Sequence, residues 1–333
     1  VIGPFLVNAI GAARVGTGFR PSFDISNQSF REWVRLSIPL MLGVSLVTAD
    51  DWILRYFASG GAGDIARLNY AKRLFAVPIA VLGQATGQAS LPFFARLFGE
   101  KKMKEFSSTV SGSVYRISAL SFLVSGLMMA AALPVIDLVY RRGRFGFLDS
   151  KSTAVYFFWF SLSLAFWSAQ GLYARAFYAA SDTLTPMIAA TALTLASLPL
   201  YSALFHNLSV MGLAISSDIG IISNTVILAI LLHRRGLVPF PDLKWGELGK
   251  AAITAVVAGW LAHRVSLLIS LNGSRWADLK ALLLVSMTWA AGVAAGLWLL
   301  RSDLPTQLRR RKATPYPHVA ERQAAETSAG IEP

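Results

Sequence analysis

Stretches of about twenty residues with almost no charge recur along this chain, and their length is the strongest constraint on how it can fold. A hydrocarbon core about 30 Å thick needs roughly 20 apolar residues of helix at 1.5 Å rise per residue. The spacing predicts eight such helices, over 32–58, 67–96, 109–139, 153–180, 184–205, 210–235, 246–271 and 278–301. The apolar and polar alternation of membrane β-strands is missing. A backbone in lipid must satisfy its own hydrogen bonds, which leaves helices as the spanning solution. With 54% hydrophobic and 15% charged residues and a mean hydropathy of +0.52, the chain is expected to be an all-α, polytopic integral membrane protein.

The opening "VIGPFLVNAIGAARVG" has no initiator Met, and its apolar run is too short for a full span or for a secretory signal with a basic leader. Residues 1–16 read as the end of a preceding transmembrane helix, and the chain as the C-terminal part of a longer protein. Residues 17–31 are expected to form a cytoplasmic linker, 32–235 a six-helix unit and 236–301 two additional transmembrane helices. Residues 302–333 are polar, without apolar periodicity, and are expected to be a disordered tail. Cysteine is absent, so no disulfide or thiolate chemistry arises.

A formal net charge of +13 raises nucleic acid as a partner, but the placement of the cations argues against it. They gather in alternate loops: Arg31 and Arg35 before the first span, Lys101, Lys102 and Lys104 after the second, Arg234, Arg235, Lys244 and Lys250 after the sixth, and Arg309, Arg310, Arg311 and Lys312 in the tail. With the tail in the cytoplasm this is the positive-inside asymmetry, and the same charges attract anionic membrane lipids. One loop, "YRRGRFGFLDSK" at 140–151, carries four cations on the side expected to face outward. Either the topology differs there, or those side chains do something other than orient the protein; the second reading is preferred.

No GxxxxGK[ST], GxGxxG or HExxH occurs, and His206, His233, His263 and His318 are scattered through different segments. Neither cofactor nor metal is expected. Adjacent Asp50 and Asp51 raise a Mg²⁺-dependent enzyme acting on prenyl phosphates, but no further carboxylates follow at helical spacing in that helix to hold the ion. The expectation is a protein that is not an enzyme.

Charges inside the spans carry more information. One near the bilayer centre costs at least about 2.5 kcal/mol, so it usually faces a bundle interior or a wet cavity and has a partner. Asp51 and Arg55 are four apart on one helix face and within reach of each other, a pair that can neutralise itself without any substrate. Asp50 lies about 100° round the helix and is the candidate for cation or proton coupling, with Asp51 beside it. In the second span, "NYAKRLFAVP" sets Lys72 and Arg73 ahead of Pro78, and Gly83, Gln84, Thr86, Gly87 and Gln88 follow before Pro92. Each proline frees one backbone carbonyl, so this irregular, polar helix belongs against protein or water. Arg73 has the planar fork that pairs bidentately with phosphate oxygens. On pattern alone, however, the favoured account of Lys72 and Arg73 is snorkelling to the headgroups.

Three stretches together resemble the MurJ (MviN) family of lipid II flippases, within the multidrug, oligosaccharidyl-lipid and polysaccharide (MOP) exporter superfamily. They are "YFASGGAGDIARLNYAKRLFAVPIAVLGQATGQASLPFFARL" at 56–97, "LVYRRGRFGFLDS" at 138–150 and "AFYAASDTLTP" at 176–186. The resemblance implies the second lobe of a two-lobe transporter that moves lipid II, the lipid-linked peptidoglycan precursor, from the inner to the outer leaflet by alternating access. It implies a multi-pass protein of the bacterial cytoplasmic (inner) membrane with its C-terminus in the cytoplasm. Its partners would be lipid II, membrane lipids and the N-terminal lobe missing from these residues. The last two helices would shape a groove for the polyprenyl tail.

By the same resemblance Arg73 matches a cavity arginine that contacts the cargo's diphosphate. Arg55 and Lys72 are named beside it as substrate-binding candidates, although the resemblance adds nothing for Lys72. Ala76 stands where relatives often carry a polar residue. "LASLPLYSALF" lacks the carboxylate with which some relatives hold sodium, so coupling through that ion site is not expected. The alternatives are an exporter of another lipid-linked oligosaccharide or a drug, and a non-transporting membrane scaffold.

Overall fold

The computed structural model describes Gly11 and residues 27–58, 63–269 and 274–309. The expected end of a preceding helix (1–16), the linker (17–31) and the tail (302–333) lie largely outside them. Among the described residues all regular structure is helical: α1 (Gln28–Ala58), α2 (Asp64–Pro78), α3 (Thr86–Gly99), α4 (Met103–Ala130), α5 (Ala132–Tyr140), α6 (Phe147–Leu162), α7 (Leu164–Ala179), α8 (Leu184–Arg234), α9 (Trp245–Leu268), α10 (Arg275–Leu299) and α11 (Leu304–Arg309). A π-helical stretch, Ile79–Ala85, joins α2 to α3, and a 3₁₀ turn, Phe240–Asp242, precedes α9.

Five of these helical runs are long and apolar enough to cross a membrane: Asp64–Gly99, Met103–Ala130, Leu184–Arg234, Trp245–Leu268 and Arg275–Leu299. The 51 residues of α8 would run roughly 76 Å if continuous, more than twice a hydrocarbon core. The helix breaks at Ser209 (φ 52°, ψ −141°), which divides it near the expected boundary between 184–205 and 210–235. At the break a Cβ on Gly212 would lie 2.1 Å from the Leu204 carbonyl oxygen, so the two backbones meet where no side chain fits. The span expected at 153–180 begins earlier and is interrupted at Ser163, and that expected at 109–139 is divided at Ala131.

The interruption at Ser163 has a local cause. Serine hydroxyls compete for backbone carbonyls that would otherwise serve the helix ladder. Ser161 donates to Phe157 O at 2.6 Å, Ser163 to Phe160 O at 2.9 Å and Ser168 to Leu164 O at 2.9 Å. Two hydrophobic cores lie on either side of this level. One gathers Leu68, Phe75, Ile136, Phe157, Phe160 and Leu213. The other gathers Phe94, Phe106, Tyr115, Leu172, Phe177 and Leu228. Between them serines join the helices: Ser121 Oγ bonds Ser168 Oγ at 2.9 Å, and Ser125 donates to the Ser161 carbonyl.

Helix α9 packs on α4 through small residues, the way helices associate where the surrounding lipid removes any hydrophobic gain. A Cβ on Gly126 would lie 2.6 Å from the Ala255 carbonyl oxygen, and one on Gly259 would lie 3.0 Å from the Gly126 carbonyl oxygen. Helix α10 closes on α9 in the same manner, with Gly292 against Ala258 and Gly296 against Thr254. Trp289 Nε1 donates to Leu123 O at 3.0 Å and ties α10 back to α4. At one end of α10, the buried Asp278 faces the buried Asp137 of α5, which Arg141 pairs at 3.0 Å.

Candidate functional site

The continuous element α2–π–α3 sorts its polar residues by face. Gly83 and Gly87 are buried against α7: a Cβ on Gly83 would lie 3.6 Å from Ser168 Cα, and one on Gly87 only 2.6 Å from Arg175 Nε. Arg175, half-buried there, donates to Gly171 O at 2.8 Å. Arg73, Ala76, Val77, Gln84 and Gln88 are exposed. The wider turn of the π-helical stretch after Pro78 keeps Arg73, Ala80, Gln84 and Gln88 near one face. The mixed cavity-lining set read from the sequence thus divides into a glycine side that lets α7 approach and an arginine–glutamine side left open.

Arg73 stands nine residues into the element, roughly 14 Å from its start. Beside it Tyr70 and Tyr140 lie with ring centroids 4.7 Å apart, and Tyr140 Oη donates to the Tyr70 carbonyl at 3.2 Å. The Arg73 charge is felt at Tyr140, yet Arg73 makes no ion pair among the described residues. Lys72 differs. It pairs with Asp51 and so joins α2 to α1, in place of the expected Asp51–Arg55 contact within one helix. Exposed Arg55 makes no ion pair among the described residues, and the side chain of Asp50 lies outside them. The structure therefore brings Asp51 and Lys72 together and leaves Arg73 and Arg55 apart from that pair.

Two of the three stretches that carry the family resemblance meet at the rim beside this face. Arg67 of α2 bonds Asp64 at 3.0 Å and Asp149 of α6 at 2.7 Å, while Asp149 also accepts the Gly146 N–H at 2.9 Å. In the basic loop before it, Arg141 pairs with Asp137 and lies 5.0 Å from the Phe147 ring centre, and Lys151 lies 4.9 Å from the same ring. Two of the four cations of 140–151 thus pack on the phenylalanine that opens α6. The third stretch works at the opposite rim, where Asp182 caps α8 by accepting the Thr185 N–H at 3.0 Å and its hydroxyl at 2.7 Å and pairs with Arg235. Burial alone would push the Asp182 carboxyl up, but Thr185 and Arg235 outweigh it and hold it below its usual value.

The Gly146 N–H first, and then the Arg67 guanidinium, hold the Asp149 carboxyl below its usual 3.8. A depressed folded value means that the stabilisation is present above the unfolded value and is lost as pH falls through the folded one. Thermal melts of the protein in detergent from pH 7 downward are expected to fall most steeply below about pH 4. Asp149→Asn should start lower at pH 7 and show less of that acid-dependent fall. An unchanged acid limb in the variant would remove Asp149 from the rim clasp.

An apolar cavity of about 430 Å³ opens between α4, the α6–α7 break and α9, lined among others by Phe122, Met129, Phe158, Phe166, Val256 and Trp260. None of its lining residues comes from α10, which backs α9 from behind. Among the described residues no group of three or more His, Cys, Asp or Glu side chains is placed to hold a metal ion. Asp218 of α8, buried opposite Ser163, escapes the sequence reading. The rule that singled out Asp50 and Asp51, a charge inside an apolar span, reaches it equally.

A model of the family described as lipid II flippase MurJ matches residues 1–285. The probable lipid II flippase MurJ of Bdellovibrio bacteriovorus is 25% identical over 227 residues, covering 68% of this chain and 43% of that protein. That of Rhizobium meliloti is 25% identical over 297 residues, covering 87% and 55%. The chain spans about half the length of the curated relatives it matches. Among solved structures, a lipid II flippase MurJ in an inward closed conformation superposes with a TM-score of 0.61 at 17% identity, over 79% of this chain and 53% of that one. An outward-facing multidrug resistance MATE transporter of the MOP superfamily follows at 0.54 and 17%, over 83% and 66%. At these identities the structural likeness speaks for the fold.

Proposed function

The chain belongs to the lipid II flippase MurJ family, and from that premise we propose that it is the C-terminal lobe of a transporter carrying lipid II from the inner to the outer leaflet of the bacterial cytoplasmic membrane. The observation that carries this reading is the exposed face of Arg73, Gln84 and Gln88 on a helix apolar enough to span. Such a face is costly against lipid and suits a wet cavity shared with a second lobe. There the Arg73 fork would take the cargo's diphosphate oxygens, with the glutamine amides below it available to sugar or peptide groups. Arg55 would act as a further cation at the rim. Lys72 would act through its pair with Asp51, by keeping α1 and α2 together. The apolar cavity beside α9 has the chemistry for a stretch of polyprenyl tail, with α10 supporting α9. Alternating access would rock this lobe against its counterpart about the cavity, with the tail of the chain in the cytoplasm.

The full-length gene is expected to restore peptidoglycan synthesis and growth in bacteria depleted of their own flippase. Failure by a protein shown to be expressed and membrane-inserted would overturn the lipid II reading and turn attention to another lipid-linked cargo.

A further inference from the structure

Near the middle of its passage the helix pair α6–α7 is broken at Ser163, and an acid of another helix lies against the break. Asp218 is 4% exposed. It sits on the second half of α8, roughly 14 Å along the axis from the Ser209 turn and so near the expected mid-plane. Its Oδ2 has no hydrogen-bond partner. The Ser163 hydroxyl, which also donates to Phe160 O, is a hydrogen-bond partner of the carboxyl.

No cation balances it among the described residues. On the elements that pack against this half of α8, Lys151 of α6 and Arg175 of α7 each stand twelve positions from Ser163 (151 to 163 and 163 to 175), roughly 18 Å along the axis. Asp149 is further still and holds Arg67, Asp51 of α1 is paired with Lys72, and Arg55 is exposed at the rim. An ionised carboxylate without a counter-charge is disfavoured in such surroundings, and uptake of a proton removes the charge while turning one oxygen into a donor. A metal ion would ask for several oxygen ligands, and among the described side chains the Ser163 hydroxyl is the partner of this carboxyl.

We propose that Asp218 is a membrane-buried proton-binding site. Its carboxyl is protonated in this conformation and passes the proton to water when movement at the Ser163 break admits water to it. Interrupted helices facing an acid are where membrane transporters place coupling ions, because the break frees backbone groups at membrane depth. As a coupling group Asp218 depends on the transporter reading; as a proton site it does not.

Infrared spectroscopy of the full chain in lipid nanodiscs tests it. Wild-type protein at neutral pH is expected to show the C=O stretch of a buried carboxylic acid, lost in Asp218→Asn, shifted in Asp218→Glu and converted to carboxylate as pH rises. Asparagine matches the shape and neutrality of the protonated acid, so the variant should melt with the wild type; if it does not, the glutamate shift carries the assignment. A spectrum unchanged by both substitutions, or loss of a carboxylate band in place of the acid band in Asp218→Asn at neutral pH, overturns the proposal. So does loss of the acid band on adding sodium at constant pH, which would make the ligand a metal cation. A band that behaves as expected in a protein that fails to rescue flippase-depleted cells would keep the proton site and remove the lipid II reading.

Discussion

Replacing Arg73 by lysine is expected to remove most of the rescue given to flippase-depleted cells while leaving the protein's level and melting temperature unchanged. The structure separates the two readouts. Arg73 is exposed and makes no ion pair among the described residues, so its loss leaves no buried partner stranded. The neighbouring structural work is done by Lys72 on Asp51 and by Arg67 on Asp149. A diphosphate gripped by a guanidinium receives two parallel charge-assisted hydrogen bonds, and an ammonium supplies a point charge. Losing one such bond costs about 1.5–3 kcal/mol, roughly a ten- to hundredfold weaker hold on the cargo. Rescue by Arg73→Lys equal to wild type would return Arg73 to the role of a headgroup anchor. Lys72→Met, which breaks the tie between α1 and α2, should instead lower the melting temperature slightly, since exposed pairs are worth about 0–1 kcal/mol.

A larger loss of stability is expected from Gly126→Val. The obstacle is backbone, the Ala255 carbonyl oxygen 2.6 Å from the added Cβ, so no rotamer change relieves it and α4 and α9 must move apart. Their separation would break the van der Waals packing that holds helices together in lipid and loosen α10, which rests on α9. Overpacking of this kind costs about 1–3 kcal/mol, and more where a whole helix shifts. Thermal melts should show a drop of several degrees for a domain of this size. Gly220→Val is the control: no heavy atom lies within 4 Å of a Cβ at that position. If Gly126→Val melted with the wild type, the close approach of α4 and α9 would be wrong.

Helix type was legible from the length of the apolar runs, because that length answers to membrane thickness, whereas the eight expected spans do not map one to one onto the helices: five runs are long and apolar enough to cross. The interruptions were less so. Nothing in the hydropathy of 153–180 marks Ser163, since a serine in a helix either returns its hydroxyl to its own carbonyls or bridges to a neighbour, and tertiary packing decides which. The irregularity of the second span was legible because Pro78 removes a donor at a known place. Which of the two neighbouring sides, Gly83 and Gly87 or Gln84 and Gln88, faces α7 was not legible, since seven residues of π-helix shift the phase of everything after them and tertiary packing decides the buried side. Arg73 was legible as a candidate, while the partner of Asp51 was not: spacing favours Arg55 four residues on, and Lys72 of the next helix takes the place. The cations of the 140–151 loop, at odds with the charge asymmetry, find one explanation in Phe147, which receives two of them.

A helix that presents arginine and glutamines on one side cannot be flush with acyl chains there, so water or another polypeptide must fill that seam. On the proposed reading, while the seam is wet its local dielectric would be high, and the attraction of Arg73 for a distant diphosphate would be shallow. If a cargo headgroup displaced that water, the same charge would act through a poorer dielectric and its pull would deepen. Dehydration and capture would then reinforce each other, which favours a bulky headgroup that empties the seam over a small anion such as free phosphate that leaves it filled.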